Sequence, residues 1–460
     1  FIQYELFPLT FYNQYNSHHP YGWNIAGLID AKGYQTLLST GVAVNLGKHF
    51  SLQFKPEFVY AANPSFEFTS QYGAPTIGSY YKLFPGQSSI RINFKPISFG
   101  ISTENMWWGP GIQNSLLMSS NAPGFLHLTL NTTEPIKTPI GNFEFQLIGG
   151  KLTEDTSVLL ENKDLTTRYY TQGSYNGNPA DPNLDKLSWR YINGIHLSYN
   201  PKWIPYFFLG VERVGYVYHD YLGEQIGFFH NYLPIFIGAF RESNAYPGGV
   251  SGHLKQLINI NGRYLMPNSN AEIYFEYGSN DNTYNFRDLL LSPDHAVAFT
   301  LGLKKNYPII FKKNVAEFNF SIEVTQLATS VDQIVRPTGD WYLFQGGYTN
   351  QGRILGSAYG VSSNMQTIIF SLKKAMHKKI SLLVQKINHD PNRYSQFSVY
   401  SVEKDNTWID WIIGLSSQKK INSKLILFSS VNFINSINYG WLHNNSLINL
   451  NLSTKCIYTF

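Results

Sequence analysis

Apolar side chains in this chain return at every second residue over long runs. That spacing demands β-strands with two unlike faces, each of which needs its own surroundings. From Phe50 to Tyr60 one face carries Phe50, Leu52, Phe54, Pro56, Phe58 and Tyr60, and the other Ser51, Gln53, Lys55, Glu57 and Val59. Ile90, Ile92 and Phe94 repeat the pattern against Arg91, Asn93 and Lys95, as do Phe143, Phe145 and Leu147 against Asn142, Glu144 and Gln146. Ala271, Ile273, Phe275 and Tyr277 oppose Glu272, Tyr274 and Glu276; Phe318, Phe320, Ile322 and Val324 oppose Glu317, Asn319, Ser321 and Glu323. Strands in soluble proteins run to about 5 to 6 residues, whereas crossing a bilayer takes about 9 to 11. Faces of this length predict a transmembrane β-barrel.

Composition agrees. Charged residues are only 14% of the 460, against roughly 25% in an average soluble chain, so an ordinary soluble surface is excluded. A helical membrane protein is excluded too, because a spanning helix needs about 20 consecutive apolar residues. The most apolar stretches, such as Ile204 to Val211, are short and interrupted. A hydrophobic fraction of 43% argues against disorder. Length alone suggests about three domains, but β-barrels run longer as single units, so residues 1–460 read as one barrel of about 16 to 20 antiparallel strands. A net charge of +5, with no Lys/Arg run longer than a pair, gives no footprint for nucleic acid. The one cysteine, Cys456, forms no internal disulfide. A start at Phe1 with no basic and apolar leader fits an exported protein whose signal peptide has been cleaved, or a chain trimmed at its start.

Connections are expected to alternate between short turns and long loops. Leu46 to His49 and the Lys378-Lys379 pair before Ile380 read as short ones; residues 153–188, 219–253, 279–294 and 326–353 read as long ones. Two stretches do not alternate. Residues 8–36 are rich in turn formers and aromatics, and residues 102–141 include Glu104-Asn105-Met106-Trp107-Trp108-Gly109-Pro110-Gly111. Neither suits a lipid-facing strand, so both are expected in the lumen, as a plug, or beyond the membrane. The final alternation of Leu450, Leu452, Thr454, Cys456, Tyr458 and Phe460 looks like the closing strand of an outer-membrane barrel. Tyr458 and Phe460 would then be the signal read by the barrel-assembly machinery.

The runs Gly86-Gln87-Ser88-Ser89-Ile90-Arg91, Ser102 to Gly111 and Ser119-Ser120-Asn121-Ala122-Pro123-Gly124-Phe125 resemble the capsule assembly Wzi family of outer-membrane proteins. Ile273 to Tyr277, Pro293-Asp294-His295 and Gln351 to Gly356 are similar to it as well. The resemblance implies an eighteen-stranded barrel with a small helical element at its N-terminal, periplasmic side and a lumen closed by infolded loops. It also implies a lectin-like role in holding capsular polysaccharide at the cell surface.

Enzyme motifs are missing: there is no Gly-x-Ser-x-Gly elbow, His-Glu-x-x-His helix or P-loop. No cofactor or metal site is expected. His18 and His19 are adjacent and point apart if extended, and Asp181, Asn183 and Asp185 lack the glycine and glutamate of a calcium loop. Sugar binding needs aromatic faces for C–H surfaces and directional polar groups for hydroxyls. Two long loops carry that vocabulary, with Arg168, Tyr169, Tyr170, Tyr175 and Trp189 in one and Arg336, Asp340, Trp341, Tyr342, Tyr348 and Asn350 in the other. Barrel rims carry aromatic girdles in any case. Arg91, Glu104, Asn105, Trp107, Trp108, Glu276, Asp281 and Arg287 are expected to hold an infolded loop against the wall. The expected function is a non-enzymatic surface-polysaccharide binder in the bacterial outer membrane, in contact with lipids and lipopolysaccharide, with the positive charge favouring an acidic glycan. The alternatives are a scaffold subunit with protein partners in a larger complex, or a diffusion porin.

Overall fold

The computed structural model describes residues 2–66, 78–153, 189–219, 255–280, 297–311, 314–328, 348–359, 363–374, 378–389 and 407–460, with residues 222, 228, 232, 233 and 235 besides. Eighteen strands among the described residues form one antiparallel ring. They are β1 (Ile2–Asn16), β2 (Gly33–Leu46), β3 (Phe50–Phe54, continuing as Glu57–Ala61), β4 (Tyr80–Phe84, continuing as Ser89–Phe94), β5 (Ile97–Ser102) and β6 (His127–Thr132, continuing as Ile136–Thr138). Next come β7 (Gly141–Leu152), β8 (Arg190–Pro201), β9 (Phe207–Tyr218), β10 (Lys255–Met266), β11 (Ala271–Asn280) and β12 (Val297–Phe311). The ring ends with β13 (Asn314–Gln326), β14 (Asn364–Lys374), β15 (Lys378–His389), β16 (Trp408–Lys420), β17 (Leu425–Ile437) and β18 (Leu447–Tyr458). Each strand pairs with its neighbours in chain order. β18 then pairs back onto β1, from Leu9 opposite Tyr458 to Asn16 opposite Asn451, and leaves the sheet closed.

The two faces are inverted relative to a soluble protein. Outward positions expose large apolar side chains, among them Leu83, Phe99, Leu128, Leu301, Ile413 and Leu415. Inward positions bury polar ones: Glu57, Ser102, Thr129, Arg190, Glu212, Asn259, Glu276, Thr300, Glu323, Gln385, Asp410 and Asn449. Lipid can cover the first set, and the second must find partners inside the lumen.

At one end of the ring the connections are short, as at residues 47–49, 95–96, 202–206, 267–270 and 421–424. At the other they are long, as at 17–32, 103–126, 153–189 and 327–363. Short turns face the periplasm in such barrels. The Lys378-Lys379 pair, expected in a short connection, opens β15 instead, because both residues pair across to β14 and β16.

Three expectations are corrected here. Residues 8–16 belong to β1 and residues 33–36 to β2, since the turn formers begin only at Ser17. Within 102–141, Leu128 and Leu130 alternate with His127, Thr129 and Asn131 in β6, a strand too short to stand out in the sequence. No helical element lies near the N-terminus: residues 17–32 are irregular. Gly22, Asn24 and Ala26 take positive φ, and the backbone carbonyls of Tyr21 and Ala31 are satisfied by Gln14 and Asn16 of the wall rather than by a helix.

Candidate functional site

Three segments from the long-loop end, residues 17–32, 103–126 and 348–359, fold inward and pack on one another. The second crosses the lumen, because its base at Glu104 meets β4 and its middle at Ile112 and Gln113 meets β13, half a ring away. On the β4 side Arg91 donates to Glu104 at 2.7 Å, and Glu104 also accepts from Ser102 at 2.9 Å and Gln53 at 3.2 Å. Burial pushes the Glu104 carboxyl up, but the hydrogen bonds and charge of Arg91, helped by Ser102 and Ser89, outweigh it and hold it below its ordinary value. Gln87 and Asn105 bond reciprocally: the Gln87 amide donates to the Asn105 side chain at 2.8 Å, and the Asn105 backbone N–H returns a bond of 3.0 Å.

Across the lumen the same segment is gripped by two carboxylates. Glu276 on β11 accepts from the backbone N–H groups of Gly111 and Leu116, both at 2.9 Å. Glu323 on β13 accepts from Ile112 at 2.7 Å and Gln113 at 3.0 Å. The approach is close enough to require glycine. Gly109 sits at φ +107°, and a Cβ there would lie 2.5 Å from the Glu276 carboxylate. Trp108 is buried, donates through Nε1 to Gln146 at 2.9 Å and stacks on His196 at 5.8 Å. Trp107 stays partly exposed, with its indole N–H on the Gly111 carbonyl at 3.0 Å.

Glu323 is itself aimed by a row across three strands. Tyr274, Gly302 and Glu323 are register partners on β11, β12 and β13. The glycine leaves room for the Tyr274 ring to lie across β12 and donate to Glu323 at 2.7 Å. On the β9 and β10 wall, Glu212 accepts from Asn259 and Asn261 at 2.8 Å each.

Arg353 ties the three infolded segments together. It pairs with Asp30, donates to the Leu28 carbonyl and reaches Asn121 Oδ1 at 3.0 Å. The short hairpin of Thr349–Asn350 and Arg353–Ile354 places it. Arg190 of β8 fastens that hairpin through Thr349, at 3.2 Å to the hydroxyl and 3.1 Å to the carbonyl. Tyr348 and Asn350, expected as sugar contacts, are corrected: both are buried inside this packing, Tyr348 beside Tyr216 and Met118, and Asn350 on the Pro123 carbonyl.

Of the other sugar candidates, Trp189 is at the long-loop rim, with Lys151 over its ring at 4.9 Å and His219 against it at 4.6 Å. Arg168, Tyr169, Tyr170, Tyr175, Arg336, Asp340 and Trp341 lie outside the described residues, as do Asp281, Arg287, Asp181, Asn183 and Asp185. Tyr458 ends β18 with its ring edge-on to Phe460. Among the described residues no three His, Cys, Asp or Glu side chains gather to hold a metal.

Sequence reasoning missed a second cluster on the far wall. His389 stacks on Trp408 at 3.9 Å and bonds Asp410 at 2.8 Å; Tyr439 bridges Trp408 to His19. His19 is buried with Nε2 on Ser436, and burial holds its imidazole below the usual value. Its partners come from β15, β16 and β17 and from the turn after β17, so no local motif marks them.

A sequence profile described as Capsule assembly protein Wzi matches residues 24–425. No curated protein sequence matches the chain. Among solved structures, the Escherichia coli outer-membrane protein Wzi, described as involved in group 1 capsule assembly and as a carbohydrate-binding β-barrel, aligns over 99% of this chain and 85% of its own, with TM-score 0.62 and 14% identity. OprD of Pseudomonas aeruginosa aligns over 98% and 93% with TM-score 0.43 and 8% identity, and OpdK of the same organism over 99% and 99% with 0.48 and 7%.

Proposed function

This chain belongs to the capsule assembly Wzi family of outer-membrane β-barrels, and we propose that it holds polysaccharide at the cell surface by binding, without chemistry on the glycan. The supporting observation is the infolding. Among the described residues, segments 103–126 and 348–359 are fastened inside the lumen by Glu276, Glu323 and Arg353, which favours a binding role over an open passage. Trp189 and the loop residues Arg168, Tyr169, Tyr170, Tyr175, Arg336, Asp340 and Trp341 would supply the stacking faces and hydrogen bonds. Each sugar would be held weakly, and many repeats together firmly. Tyr458 and Phe460 would be the part read during membrane assembly. Deleting the protein should release glycan from cells into the medium; unchanged retention would sink the proposal. Replacing Trp189 with Ala should weaken retention in cells that still display the barrel.

A further inference from the structure

Three lysines meet on the outer wall at the short-turn end. Lys374 closes β14, Lys378 opens β15 and Lys419 lies near the end of β16; the register sets Lys374 opposite Lys378, and Lys378 opposite Lys419. All three are exposed and share parity with the outward residues Leu372, Ile380 and Leu415, so they point away from the lumen. Directly opposed side chains stand about 4.5–5.5 Å apart at Cβ, and like charges placed so are destabilising.

Among the described residues nothing relieves this. The row continues to Ala316 on one side and Leu427 on the other, and the adjoining turns, residues 375–377 and 421–424, contain no carboxylate. Among the described residues none of the three lysines has an acidic partner. Lys373, one position away and of lumen parity, has Glu317 at 3.1 Å. Two residues further into the wall the row becomes Phe318, Leu372 and Ile380, and two beyond that Phe320, Phe370, Leu382 and Leu415. The lysines therefore lie about 7 Å past the last apolar row. At that depth a lysine lays its stem along apolar wall and its ammonium among headgroups.

We propose that Lys374, Lys378 and Lys419 form a site for the phosphate of an anionic phospholipid in the leaflet facing the short turns. A phosphate between three ammonium groups turns a repulsive row into an attractive one. Lipopolysaccharide phosphates share that chemistry but meet the barrel at its other end.

The test compares wild type with the triple variant Lys374→Gln/Lys378→Gln/Lys419→Gln in nanodiscs of phosphatidylcholine alone or with cardiolipin, following the heat-unfolding midpoint and the cardiolipin retained in native mass spectrometry. In phosphatidylcholine alone the variant should melt above wild type, because the repulsion is gone. With cardiolipin the order should reverse, and retention by the variant should fall by about tenfold or more. The Lys→Arg triple should retain the lipid. Equal retention by wild type and the Gln variant overturns the proposal. So does an equal loss from Lys95→Gln/Lys137→Gln/Lys202→Gln elsewhere on the ring, or a wild-type preference for lipopolysaccharide when both lipids are offered.

Discussion

Gly302 has the smallest side chain in the lumen wall and one of the largest effects on it. A Cβ at this position would lie 2.0 Å from the Tyr274 ring, so Gly302→Ala must push that ring off β12 and away from Glu323. Overpacking of this kind costs about 1–3 kcal/mol, and here it also removes a hydrogen bond to the carboxylate that grips Ile112 and Gln113. The expected result is a barrel that still forms but melts lower, with faster proteolysis inside 103–126; an unchanged melting point would contradict the packing. Alternation in the sequence already placed Tyr274, Glu276 and Glu323 on one kind of face. It could not show that Gly302 lies between two of them, because the register between strands is not contained in the period of either.

At the scale of an element, the lumen-crossing segment 103–126 is held at one end by the ion pair of Arg91 and Glu104. Glu104 binds its proton less readily in the folded protein than in the unfolded chain. Its stabilisation is therefore complete above the ordinary glutamate value of about 4.3 and is lost as the pH falls through the lowered one. Glu104→Gln should raise proteolytic cutting within 103–126 at neutral pH, and the difference from wild type should shrink as the medium is acidified below about pH 4. A difference that persists unchanged in acid would show that charge is not what holds this end. The segment stood out in the sequence because Trp107, Trp108, Gly109, Pro110 and Gly111 cannot face lipid. Arg91, Glu104 and Glu276 were legible as lumen residues holding an infolded loop, whereas nothing in the run Gln351 to Gly356 marks Arg353 as the residue that joins three segments. Tyr348 and Asn350 were misplaced for a related reason: an aromatic and an amide in a polar loop look alike whether the loop stands out or folds in.

Taken as a whole, the molecule is a wide ring whose passage depends on four backbone N–H groups, those of Gly111, Ile112, Gln113 and Leu116, all accepted by two glutamates. Leaving a buried donor unsatisfied costs about 1–3 kcal/mol, and those of Gly111 and Leu116 are buried. Glu276→Ala/Glu323→Ala should therefore release the segment, and ion conductance in planar bilayers should rise from little in wild type toward that of an open channel. Open-channel conductance in wild type would instead support the porin reading. Strand length, charge deficit and the alternation of short and long connections made the ring legible from the sequence, and the non-alternating stretch 102–141 marked an infolded segment; the contacts of Arg353 were not legible, since they join positions up to 327 residues apart.

The grip of Glu276 and Glu323 is on main chain, which every residue type but proline can offer. Related chains could replace Ile112 and Gln113, whose side chains are not buried, and still be held, provided that the two glutamates and the glycines at 109 and 111 stay. Descent within such a lineage would then erode the crossing segment's side chains much faster than its path, and two members could share the closure while sharing few of the letters that build it.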